Sequence, residues 1–152
     1  MSHLKLITAC FIFLTFELIA QEGQFKLIKA RQVFDGNIFH SNKVVLVQGE
    51  KIIAFDEESK IKIPANCEIL NYPNGTLMPG MIEGHAHLLL HPYNETSWND
   101  QVLKESHAER AIRGAEHAKK TLLAGFTSVR DLGTEGASYV DVGLKETIDK
   151  QI

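Results

Sequence analysis

The sequence has few of the features that mark several protein classes. Its 152 residues include two cysteines, Cys10 and Cys67, which are too few for a disulfide framework. Sixteen basic and 19 acidic residues give a formal net charge of −3, so the charge balance does not support a nucleic-acid-binding surface. The sequence contains no internal repeat and no low-complexity linker. With 44% hydrophobic and 23% charged residues, its composition is globular, which excludes a disordered or fibrous chain.

The N-terminal segment is predicted to be a targeting signal rather than part of the fold. A short positive start precedes an apolar stretch over residues 6–16, and a polar run begins at Gln21. This apolar stretch is too short to cross a bilayer core of roughly 30 Å. We predict a signal peptide over residues 1–20 and an exported protein, periplasmic or extracellular, with no stable membrane anchor after cleavage. The alternative is a buried N-terminal strand or helix.

Residues 21–76 are predicted to form short strands separated by turns. The β-branched run at 44–47, the turn at 48–51 and the apolar run at 52–55 have the pattern of a hairpin. Another tight turn is expected at Asp35-Gly36-Asn37. Strands spaced in this way favour a small antiparallel sheet or half-sandwich.

The pattern changes at Leu77, where we place the boundary of a second region over residues 77–152. Its predicted elements are a strand buried on both faces within 77–90, a helix over 99–123 that ends at Gly125, a strand over 126–130 and a helix over 139–152. Arg110 and Arg113 are expected on the solvent face of the first helix. The order strand, helix, strand, helix predicts an α/β fold with a parallel sheet.

His85-Ala86-His87 is the motif that carries chemistry. Residues i and i+2 of a strand point to one face, so both imidazoles could converge on one metal ion. The alternative is two polar residues that hydrogen-bond to backbone at a strand end. Two ligands are too few for a catalytic zinc, which usually has three protein ligands, so further ligands must come from elsewhere.

The surroundings of this motif resemble the amidohydrolase superfamily, most closely its imidazolonepropionase-like branch of Xaa-Pro dipeptidases (prolidase-like proteins). The first matching segment is Leu77-Met78-Pro79-Gly80-Met81-Ile82-Glu83-Gly84-His85-Ala86-His87-Leu88. Glu83 is a departure, since many members have Asp there. A second segment, residues 124–133, resembles the second barrel strand of the same family.

The resemblance implies a (β/α)8 TIM-type barrel preceded by a composite β-sandwich. Residues 21–76 would be the N-terminal part of the sandwich, and residues 77–152 the first two βα units of the barrel. The barrel is incomplete in this chain, because a full one needs roughly 250 residues. We therefore expect an N-terminal fragment of a longer enzyme whose catalytic residues lie beyond Ile152. His85 and His87 would bind a divalent metal, with zinc as the expected ion, and the complete protein would hold one or two ions.

Three further residues are candidates for the rim of the active site or for substrate contact: His91, Arg130 and Asp131. His91 lies in the predicted loop after the first barrel strand, where a structural role is the alternative. Arg130 and Asp131 end the second strand, where an internal ion pair is the alternative.

The function predicted from the sequence is metal-dependent hydrolysis of an amide or peptide C–N bond, in an Xaa-Pro dipeptide or an N-acyl amino acid. The expected partner is a small molecule or dipeptide, with no nucleic acid, and an oligomer is compatible with the sequence. A cyclic-amide hydrolase or a deaminase is the alternative on the same scaffold. A catalytically inactive truncated chain or a β-rich binding module is the alternative from another class.

Overall fold

The computed structural model describes residues 23–152, which divide into two compact units. The first ends at Pro79 and the second runs from Gly80 to Ile152. The sequence-based boundary lies three residues earlier, between residues 76 and 77. The signal peptide predicted over residues 1–20 lies outside the described residues.

The first unit is built on one five-stranded sheet. Its strands are β1 (Phe25–Phe34), β2 (Phe39–His40), β3 (Val44–Gln48), β4 (Lys51–Asp56) and β5 (Glu68–Leu77). The long central strand β1 pairs antiparallel with β2 and β3, and β3 continues antiparallel to β4. One short 3-10 helix, Glu58–Lys60, lies between β4 and β5. Leu27, Val44 and Leu46 form the core, because these apolar side chains share one face of the sheet.

The sheet is mixed, which corrects the prediction of an antiparallel sheet. β5 pairs parallel with β1, with Lys26 opposite Glu68 and Val33 opposite Leu77. β5 also continues through Pro73, a residue that can donate no hydrogen bond to a neighbouring strand. The register shifts between Ala30 and Gln32, so an irregularity accommodates the proline-containing stretch. Residues 61–63 form no strand; Ile61 and Ile63 instead pack against the core.

The second unit has the predicted order of strands and helices. Its elements are β6 (Met81–Ala86), α1 (Trp98–Leu103), α2 (His107–Leu123), β7 (Phe126–Asp131) and α3 (Val140–Asp149). β6 and β7 are parallel, as the alternation of elements predicts. Gly125 has φ of +98° and follows the end of α2, a conformation that glycine adopts without steric cost. The strand within residues 77–90 is shorter than predicted, and most of its residues are exposed.

The helix predicted over residues 99–123 is two helices. Ser97 caps α1 by accepting a hydrogen bond from the Asp100 N–H, and Ser106 caps α2 by accepting one from the Glu109 N–H. The second serine starts a new helix because its side chain satisfies an N–H that lacks a partner in the first turn.

Arg110 is buried inside the second unit, although the sequence places it on the solvent face. Its side chain is 0% exposed and donates to the backbone carbonyls of Leu89, Thr134 and Glu135. Arg113 is also largely covered and pairs with Glu105 at 2.6 Å. Helical periodicity places charged residues on the surface. It carries no information about carbonyl groups in distant loops that need hydrogen-bond donors, which is why it fails for Arg110.

The described residues therefore show a mixed α/β chain whose second unit contains two parallel strands, and no closed barrel within residues 23–152. Among these residues, no helix has the length and apolar character needed to cross a membrane.

Candidate metal centre

The histidine pair lies where the two parallel strands end. Ala86, between the two histidines, is in register with Asp131 at the end of β7. The ring centroids of His85 and His87 are 5.6 Å apart, and the ring planes make an angle of 68°. Two imidazoles that share a tetrahedral zinc at about 2.0–2.1 Å place their centroids roughly 5 Å apart. The centroid spacing of the pair is close to this value.

The tautomer of His87 is fixed by a backbone carbonyl. Its Nδ1 lies 2.8 Å from the carbonyl oxygen of Gly133, which can only accept, so Nδ1 carries the proton. In the neutral ring, Nε2 then keeps the lone pair that a metal ion requires. Metal-ligating histidines usually have this kind of second partner, which holds the ring in orientation.

His85 is more exposed than His87 and is held through its backbone. Its N–H donates to the Glu83 carboxylate at 3.0 Å. Glu83 is the residue at which the sequence departs from the commoner Asp of the family, and the longer side chain folds back on its own strand here. No hydrogen bond to the His85 ring is found within residues 23–152.

Asp131 organises the loops next to the histidines. Its carboxylate accepts from the Leu88 N–H at 3.0 Å and from the Gly133 N–H at 2.9 Å. It therefore ties the end of β6 to the loop whose Gly133 carbonyl holds His87. Arg130 is exposed and forms no ion pair within residues 23–152, so the expected Arg130–Asp131 pair is not found there.

His91 lies beside a cleft of about 470 Å³ next to the histidine pair. The cleft is lined by Ala86, His87, His91, Tyr93, His117 and Lys120, among others. The rings of His91 and His117 are 5.6 Å apart, and His117 Nδ1 donates to the Leu88 carbonyl at 2.9 Å. Buried Gln101 fixes the loop by accepting from the His91 N–H at 2.6 Å and donating to the His91 and Thr96 carbonyls.

A carboxylate that no sequence motif indicates, that of Glu135, lies beside His87. Glu135 Oε1 lies 3.4 Å from His87 Nε2. The Glu135 carboxylate also accepts from the Trp98 indole N–H and from the Tyr93 hydroxyl, which is 3.4 Å away. Partial desolvation and the negative charge of Glu135 together raise the pKa of Tyr93. No sequence motif links Tyr93, Trp98 and Glu135, because they lie in separate segments of the chain.

The donor set fits part of a metal site. Two imidazoles with the correct spacing, one of fixed tautomer, are suitable ligands for zinc and similar divalent ions. Within residues 23–152, no group of three or more His, Cys, Asp or Glu side chains has the geometry to hold a metal ion. The described residues thus offer two imidazoles as candidate ligands.

Comparison with known proteins gives matches to solved structures only. No protein-family model and no curated protein matches the chain. The A. niger ochratoxinase is 20% identical, with a TM-score of 0.65 over 86% of this chain and 29% of its own. A Xaa-Pro dipeptidase with methionine bound in its active site is 22% identical, with a TM-score of 0.65 over 84% of this chain and 30% of its own. A prolidase complexed with N-methylphosphonate-L-proline is 25% identical, with a TM-score of 0.64 over 84% of this chain and 29% of its own.

The chain shares the fold of the N-terminal part of the amidohydrolases. This is the fold that the resemblance of the His85 motif implies for this part of the chain. The matched structures also include one described as an amidohydrolase and an adenosine deaminase from Xanthomonas campestris with bound zinc. The chain spans 29–30% of the length of the three structures compared above.

Proposed function

We propose that the full-length protein is a metal-dependent amidohydrolase that cleaves an amide or peptide C–N bond, with His85 and His87 among its metal ligands. The substrate class we propose is an Xaa-Pro dipeptide or a related N-acylated amino acid. The similarity to prolidase structures supports this class.

The observation that carries the proposal is the paired geometry of the two histidines. Their ring centroids are 5.6 Å apart at the C-terminal end of β6, and the Gly133 carbonyl fixes the proton of His87 on Nδ1. Active sites of α/β barrels lie at this end of the strands.

Residues around the histidine pair hold the proposed site in position. Asp131 fixes both loops, Gly133 orients His87, and the cleft beside His91 offers room for a small substrate. When bound, a divalent metal supplies Lewis-acid activation of water and of the substrate carbonyl.

The test is to measure metal content and Ala-Pro hydrolysis for the full-length protein, expressed as its gene encodes it, and for His87→Ala. We expect the wild-type protein to retain metal through dialysis and to hydrolyse the dipeptide. His87→Ala should lose metal, and turnover should fall at least about 100-fold, since even loss of a second-shell partner costs 10–100-fold.

His40→Gln is the matched control, because it removes a histidine from the first unit. It should retain both metal and activity. Wild-type metal content and turnover in His87→Ala would contradict the assignment of the metal ligand. Release of ammonia from adenosine without hydrolysis of Ala-Pro would favour a deaminase, as in the zinc-bound structure that the chain also matches.

A further inference from the structure

Three separate segments of the second unit bring their polar atoms to the Glu135 carboxylate. Tyr93 lies in the loop after β6, Trp98 begins α1, and Glu135 lies in the loop between β7 and α3. The Trp98 indole N–H and the Tyr93 hydroxyl both donate to the carboxylate. We call Tyr93, Trp98 and Glu135 the Glu135 subsite.

The backbone at Glu135 is strained, and the strain is maintained by contacts from another segment. Glu135 has φ of +47°, in the left-handed region that side chains other than those of glycine, Asn and Asp rarely adopt. Its carbonyl accepts from Arg110 Nη1 at 3.2 Å, which helps to hold this conformation. Such strain persists only where the surroundings enforce it, and it is concentrated at functional sites.

The cation that interacts with the charge of Glu135 in the described chain is the buried Arg110 guanidinium, which donates to the Glu135 backbone carbonyl at 3.2 Å. Within residues 23–152, no lysine or arginine side chain forms an ion pair with its carboxylate; the contact at 3.4 Å is to the His87 ring. Trp98 and Tyr93 orient the carboxylate through neutral donors, and a carboxylate has further acceptor positions.

We propose that the Glu135 subsite binds the protonated α-amine of the substrate, so that the preferred substrate is a dipeptide with a free N-terminus rather than an N-acyl amino acid. The inference rests on the proposed function. In a dipeptide the α-amine is one carbon away from the carbonyl of the bond to be cleaved. Glu135 Oε1 lies 3.4 Å from His87 Nε2. It is therefore close to the position that we propose for the carbonyl of the bond to be cleaved.

The experiment compares Ala-Pro with N-acetyl-Ala-Pro on the full-length protein with its metal bound. We expect kcat/KM to be at least about 10-fold higher for Ala-Pro, since hydrogen bonds to charged groups are among the stronger ones. Glu135→Gln should lower kcat/KM for Ala-Pro by about 10–100-fold and change that for N-acetyl-Ala-Pro by less than about twofold. Its metal content should match that of the wild type.

Glu146→Gln is the matched control, because Glu146 is an exposed glutamate of α3 that pairs with Lys150 at 3.5 Å. It should leave both substrates unaffected. Equal loss on both substrates in Glu135→Gln, or no preference for Ala-Pro in the wild type, would overturn the amine subsite and leave the proposed hydrolase standing.

Hydrolysis of neither substrate would count against the proposed function, and the subsite is then decided by binding. The probes are L-alaninamide, which is a cation, and its neutral N-acetyl derivative. The reporter is the Trp98 indole N–H resonance, assigned with Trp98→Phe. A shift of this resonance with alaninamide alone, lost in Glu135→Gln, would support the subsite. Equal shifts with both probes, or none with either, would overturn it.

Discussion

At the scale of single residues, Asp35 organises the turn after β1. Its Oδ1 accepts from the N–H groups of Asn37 and Ile38 at 2.8 and 2.9 Å, and its Oδ2 pairs with His40 Nε2 at 2.7 Å. The hydrogen bond to His40, followed by those to the backbone, holds the pKa of the Asp35 carboxyl well below its usual range. The turn signal Asp35-Gly36-Asn37 thus has a physical cause, since an ionised side chain replaces absent backbone partners.

We predict that Asp35→Asn lowers the melting temperature of the first unit at pH 7. An Asp whose pKa is lowered on folding contributes stability that is complete above its unfolded pKa of about 3.9. That contribution is lost as the pH falls below this value toward the lower folded pKa. The difference in melting temperature between wild type and variant should shrink below about pH 4.

Thermal denaturation monitored by circular dichroism across this pH range checks the prediction. Glu50→Gln, at an exposed position in the turn before β4, is the control and should match the wild type throughout. A difference for Asp35→Asn that stays constant down to pH 3 would show that turn geometry, and not the ionised carboxylate, accounts for the effect.

The same scale shows why parts of the candidate site could be predicted and others could not. His85 and His87 are two residues apart, so strand geometry alone places them on one face. Glu135 is 37 positions from Trp98 and 42 from Tyr93, and its role depends on a left-handed backbone at a non-glycine residue. No local pattern encodes such a contact, and His91 and Arg130 remain predictions as substrate-contacting residues.

At the scale of elements, helix α2 connects the two loops that flank the site. Arg110, which lies on α2 and is 0% exposed, donates to the Leu89 carbonyl in the loop after β6 and to the Thr134 and Glu135 carbonyls in the loop after β7. Burial lowers the pKa of Arg110, yet a guanidinium keeps its charge in proteins. The planar group thus supplies donors to several carbonyls at once.

We predict that Arg110→Met destabilises the second unit by about 3 kcal/mol, because each buried carbonyl left without a donor costs roughly 1–3 kcal/mol. Urea unfolding measures the loss. Hydrogen exchange should also show faster exchange in the loops that contain Leu89 and Thr134. Lys119→Met, at an exposed position of the same helix, should change stability by less than about 0.5 kcal/mol. A similar small change for Arg110→Met would rule out this role for the arginine.

Element order could be predicted from periodicity, while pairing and helix ends could not. The alternation of β6, α2, β7 and α3 follows from local patterns of apolar residues. The parallel pairing of β5 with β1 depends on a contact between residues about 40 positions apart, such as Lys26 and Glu68. The break before α2 depends on one side-chain cap at Ser106, which the apolar periodicity of the helix does not indicate.

At the scale of the whole molecule, the second unit presents apolar surface that the described chain does not cover. Ile82 on β6 is 74% exposed and Leu123 at the end of α2 is 77% exposed. Within residues 23–152, β6 and β7 pair only with each other, so each strand has an unpaired edge. Exposed apolar residues beside open strand edges favour pairing with another chain.

We therefore predict that residues 21–152, expressed alone, self-associate at concentrations between about 10 and 100 μM. Sedimentation velocity should show a weight-average mass that rises with concentration. Ile82→Lys should shift the association to higher concentration, because a charge on β6 opposes both apolar contact and strand addition. Leu103→Lys, at a residue 73% exposed at the end of α1, should have little effect if the strands are responsible. A single monomeric species at every concentration would mean that these two strands form a stable surface without further chain.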